Sequence, residues 1–130
     1  MMTVDDAVRA ICANIVASGS AYLLDVPVYR YARLSDATGS YIVVNALPIG
    51  TGLLQKCVAN VNIYCADIFP GSPDAVKLAD MTNAVIGALD DSQNMEGDVL
   101  IYFQQQNLMR DEELKSHYSN IRFDIRLINN

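Results

Sequence analysis

Apolar and polar positions alternate with two different periods along this chain, and each change of period marks a new element. Val4, Ala7, Val8, Ile11, Cys12, Ile15 and Val16 recur three and four residues apart, the stripe of an amphipathic helix. Thr3 with Asp6 three residues on is an acidic variant of the capping box, and Asp5 and Asp6 suit the positive end of a helix. Ser18-Gly19-Ser20 ends it. Val26 to Leu34 favours a strand through Val28, Tyr29 and Tyr31, with Pro27 marking an edge or a strand start. A turn follows over Ser35 to Ser40, then a β-branched run from Tyr41 to Leu47 and a flexible loop from Ile49 to Leu54.

The clearest strand runs from Gln55 to Ala66. Cys57, Ala59, Val61, Ile63 and Cys65 share one face, and Val58, Asn60, Asn62, Tyr64 and Ala66 the other. With Tyr41 to Leu47 it forms an antiparallel pair around the loop. A second helical stripe comprises Ala75, Leu78, Ala79, Thr82, Val85, Ile86 and Leu89, with Ser72 as cap and Pro73 at the first helical position. Gly87 weakens that helix and marks a close approach to a sheet. Asp90 to Asp98 is polar and ends it. Val99 to Gln106 reads as a strand, Leu108 to Ser116 as a short exposed helix or a loop. In the last strand, Asn120 to Ile128, Ile121, Phe123, Ile125 and Leu127 point inward and Arg122, Asp124 and Arg126 outward.

The order is therefore α-β-β-β-α-β-β. It implies an α+β fold, a mainly antiparallel five-stranded sheet with two helices packed on one face. The other face, with Asn60, Asn62, Tyr64, Arg122, Asp124 and Arg126, is open to solvent or to a partner. At 130 residues the chain makes one domain, 1–130, with no linker or internal repeat.

Composition narrows the function. Nine Lys and Arg against 15 Asp and Glu give a net charge of −6, and the cations are scattered, which argues against specific nucleic-acid binding. An acidic surface keeps a protein soluble and also lets a polyanion pass without sticking. Cys12, Cys57 and Cys65 form no close pair and suit a reducing compartment. Cys57 and Cys65 fall on one strand face, about 26 Å apart at roughly 3.3 Å per residue, too far to bridge. Asp5 and Asp6 precede any apolar run, unlike a signal peptide, and no stretch reaches the roughly 20 apolar residues of a membrane helix. The expectation is a protein of the cytoplasm without a membrane contact.

No residue set points to catalysis, a metal or a cofactor. His117 is the lone histidine, and the nearby Asp111-Glu112-Glu113 run reads as a solvated face. Gly50-Thr51-Gly52 lacks the Lys-Ser/Thr of a phosphate-binding loop and leads into a strand. That loop does set Ile49, Leu53 and Leu54 beside Gly50 and Gly52, so it either folds over its own core or docks on a neighbour. Seven tyrosines and no tryptophan add area suited to interfaces. The candidate subunit interface is therefore Ile49, Gly50, Gly52, Leu53, Leu54, Tyr64, Arg122 and Arg126.

Taken together, the N-terminal helix, VYRYARLSDATGSYIVVNALPIG (28–50), CVANVNIYCAD (57–67), PDAVKLADMTNAVIGALDD (73–91) and YSNIRFDIRLI (118–128) resemble the tail completion, or tail terminator, proteins of long-tailed bacteriophages. The resemblance is one of pattern over nearly the whole chain. It implies a small non-enzymatic virion protein, made in the host cytoplasm, that forms a homo-hexameric ring. The ring would cap the tail tube and join it to the head connector. Two other readings stand beside it: an acidic dimeric secretion chaperone that binds an extended apolar segment, and a small-molecule-binding domain or enzyme with a pocket.

Overall fold

The structure, a computed structural model, describes residues 3–32, 39–47, 54–69, 71–90, 92–93, 99–111 and 116–128. Thr3 caps the first helix, α1 (Val4–Ala17), by the reciprocal bonds its sequence suggests. The Asp6 backbone N–H donates to Thr3 Oγ1 at 3.2 Å, and the Thr3 N–H donates to Asp6 Oδ2 at 2.9 Å. The Thr3 backbone bond, backed by the Thr3 side chain, holds the Asp6 carboxyl below its ordinary range. Gly19, at φ 70, turns the chain out of the helix, and a 3-10 turn follows at Ala21–Leu23. Of the predicted stripe Ala7, Val8, Ile11 and Ile15 are buried, whereas Val16 is exposed.

The remaining elements are β1 (Val28–Arg30), β2 (Tyr41–Ala46), β3 (Leu54–Cys65), α2 (Ala75–Leu89), β4 (Ser92–Gln93), β5 (Val99–Asp111) and β6 (Ser116–Ile128). The five expected strands thus gain a sixth of two residues, in the order β1-β2-β3-β6-β5-β4. All neighbours are antiparallel except β1 and β2. Both helices cover one face, α1 over β1 and β2, α2 over β3, β5 and β6. Between them and the sheet lie Ile42, Val44, Val61, Ile63, Ile121, Phe123 and Ile125. Each such side chain contributes about 1.5–3 kcal/mol over its exposed state. The alternation read in β3 and, through Ile125, in β6 is the alternation observed; the Leu127 side chain lies outside the described residues.

Several expectations need correction. β1 is three residues long because Asp25 (φ 60) and Tyr31 (φ 72) adopt left-handed backbone on either side of it. The cap of α2 is Asp74, whose Oδ1 accepts the Lys77 N–H at 3.2 Å; Ser72 is instead bridged to Phe69 in a turn. Among the described residues nothing lies within 4 Å of a Cβ placed on Gly87, so that glycine marks no close approach. Leu108 to Asp111 is strand, a continuation of β5 beyond an irregularity between Phe103 and Gln105. Its charged and apolar residues obey no period because the strand lies at the sheet margin, where residues 103–110 are all exposed. β6 accordingly begins at Ser116, four residues before the expected start.

Candidate assembly surface

The sheet face turned away from the helices carries three rows of side chains, set by registers that continue from strand to strand. Tyr41 pairs with Tyr64, and Tyr64 with Tyr118. Their rings stack at 4.8 Å between centroids in both pairs, and Tyr29 adds a tilted contact with Tyr41 at 6.0 Å. Stacks of this kind contribute about 0.5–1.5 kcal/mol each beyond the area they bury.

Beside the tyrosines lies a lattice of amides. Asn60 donates from Nδ2 to Asn45 Oδ1 at 3.2 Å, and Asn120 donates to Asn62 Oδ1 at 2.6 Å and Asn60 Oδ1 at 3.4 Å. Side-chain bonds across three strands hold the face in one register, because a slip of one residue would break all of them.

The third group is charged. Arg122 stands opposite Asn60, Asp124 opposite Val58, and Arg126 opposite Lys56. Arg126 donates to Asp124 at 3.2 Å and lies over the Tyr102 ring at 5.6 Å, a cation–π arrangement. Arg122 Nε is buried and has no hydrogen-bond partner among the described residues. Lys56, Arg122 and Arg126 share this face with Asp111 and Asp124. Of the helices, α1 carries Asp5 and Asp6 with Arg9, and α2 carries Asp80 with Lys77 after its Asp74 cap.

Tyr64, Arg122 and Arg126, predicted together, do share this face. Ile49, Gly50, Gly52 and Leu53 lie outside the described residues; Leu54 opens β3, and its side chain lies outside them too. The sequence reading left out the rest of the tyrosine row and the Asn45 and Asn120 ends of the amide lattice. The matching alternation of Asn60, Asn62 and Tyr64 with Tyr118, Asn120 and Arg122 was the available signal, but it needs the register to be seen.

His117 sits at the start of β6 and serves the fold. Asp67 Oδ1 lies 3.1 Å from its Nδ1 and accepts its backbone N–H at 3.3 Å, which fastens the end of β3 to β6. Burial pushes the Asp67 carboxyl up, but the bonds from the His117 ring and backbone outweigh it and leave it below the ordinary value. Among the described residues no three His, Cys, Asp or Glu are grouped to hold a metal ion. A cleft of about 460 Å³ beside α1 is lined by apolar Ile15, Leu23, Leu24 and Val26 together with polar Ser18, Ser20 and Asp25. Among the described residues no helix is long and apolar enough to cross a membrane.

No protein-family model and no curated protein matches this chain. Among solved structures 24 chains match. One comes from the virion of a native gene transfer agent particle, with 18 % identity, 93 % of each chain covered and a TM-score of 0.63. That likeness establishes a shared α+β fold along nearly the full length of both chains.

Proposed function

We propose that this chain is a structural protein of a phage-like virion, a tail terminator whose copies form a ring that caps the tail tube and meets the head connector. The observation that carries this reading is the fold shared with a virion chain over 93 % of both lengths. The surface supports it. Stacked tyrosines, amides and a buried guanidinium nitrogen without an acceptor among the described residues form an ordered, polar-aromatic face of the kind found at protein contacts. We assign that face, with Tyr64, Arg122 and Arg126, to neighbours in the assembly. The net charge of −6 lets DNA pass a ring without adhering.

Electron microscopy of tail tubes incubated with the purified protein tests the role. The expected result is density on one end of each tube and no further elongation there. Tubes that bind protein along their sides, or not at all, would count against it.

A further inference from the structure

The two margins of the sheet differ in their protection. β1 is short and stopped on both sides by left-handed residues, and Asp5 of α1 fixes it: Asp5 Oδ1 lies 3.5 Å from Arg30 and accepts from the Tyr31 hydroxyl at 2.9 Å. At the other margin β4 pairs only with Leu100 and Ile101. From Gln104 to Met109 the outer edge of β5 has no strand beside it among the described residues, and that stretch contains no Pro, Gly or charged residue. Edges of this length are ordinarily blunted, because their unpaired N–H and C=O groups invite another strand. Leu108 is 52 % exposed and Met109 43 %.

The registers set these margins level with each other. Followed across the sheet, Val28 aligns with Ile42, Ile63, Ser119 and Leu108; Tyr29 with Val43, Asn62, Asn120 and Asn107; Arg30 with Val44, Val61, Ile121 and Gln106. Strand directions place a β1 laid beside β5 antiparallel to it. Sides match as well. Val28 packs on the core side, and Leu108 lies on that same side, in a groove of about 230 Å³ with Ala75, Leu78 and Ala79 of α2. Tyr29 and Asn107 both belong to the open face.

We infer that copies of this chain join edge to edge, with Val28–Arg30 of one copy laid antiparallel along Gln106–Leu108 of the next. The contact is heterologous, using a different edge on each side, as a ring closed by rotation requires. It needs no slip along the strands. Val28 of one copy then covers Leu108 of the next, and the tyrosine row that starts at Tyr29 continues toward Met109 of the adjoining sheet, where sulfur–aromatic contact is favourable. This inference rests on the ring reading above.

Cysteine cross-linking tests it. Full-length Tyr29→Cys and Asn107→Cys chains, one carrying a mass tag, are mixed and oxidised; directly opposed Cβ atoms about 4.5–5.5 Å apart come within reach of a disulfide. Cys57 and Cys65 are buried and Cys12 half-buried, which keeps the background low. The expected product is a disulfide between the two variants, and a ladder of covalent multimers from the double variant. In parallel, Leu108→Lys should convert the assembly to folded 14.3 kDa chains, whereas Val76→Lys, at a helix position 74 % exposed, should leave it intact. Asn107→Cys linking to itself would reveal a two-fold contact and overturn the pairing. A multimer that gives no mixed disulfide, or that survives Leu108→Lys, would overturn the pairing and leave the ring reading standing. A wild-type chain that stays monomeric at every concentration would overturn both.

Discussion

At the scale of single residues, two buried positions show how the fold is held. Phe123 is fully buried in the core and meets Phe103 edge-on at 6.3 Å between centroids. Phe123→Ala should cost about 3–5 kcal/mol through lost burial and the cavity left behind, read as a lower midpoint in urea unfolding with an unchanged slope. Asp67 acts through charge. Its folded pKa lies below the ordinary 3.8, so its contribution is complete above that value and is lost as pH falls through the lower folded value. In acid titrations of thermal stability, wild type should therefore lead Asp67→Asn near neutrality, and the lead should shrink below pH 3.8. A constant difference down to the acid limit would mean that the Asp67–His117 bonds do not carry this effect. Cys57 gives a third readout. Burial, then the charge of Asp124, pushes its thiol up to about 11, so alkylation at neutral pH should be slow in the folded protein and quick after unfolding.

Elements were legible where one physical signal dominated. β3 and β6 are half-buried on one side, so their period of two survives in the sequence, and α1 announces itself through Thr3 and Asp6. β5 past Phe103 was not legible. Its residues 103–110 are all exposed, so burial imposes no alternation on them, and Leu108 to Ser116 reads as a short exposed helix or a loop. The α2 cap was displaced by two residues for a related reason: Ser72 and Asp74 are both good caps, and the Phe69–Ser72 turn decides between them. Gly87 was read as a close approach of helix and sheet, and the open space around it among the described residues removes that role. Gly87→Ala should therefore raise stability by about 0.5–1 kcal/mol, by helix propensity alone, measurable as a higher melting temperature; a loss of stability would mean the glycine has a contact not accounted for.

For the whole molecule, the candidate site was only half legible. Tyr64, Arg122 and Arg126 could be placed on an open face from alternation. That their row runs from Tyr29 to Tyr118, and that the two free edges lie level, depends on registers that no single segment encodes. The charge is likewise a property of the whole: a net value of −6 does not say which surface carries which groups. Each of these features fits the proposed role in an assembly. The most direct test of that claim is the mass of the purified full-length chain by light scattering across a concentration series. A ring former gives a defined multimer, expected at six times the 14.3 kDa chain mass, in exchange with monomer. A mass that remains at one or two chains throughout would contradict it.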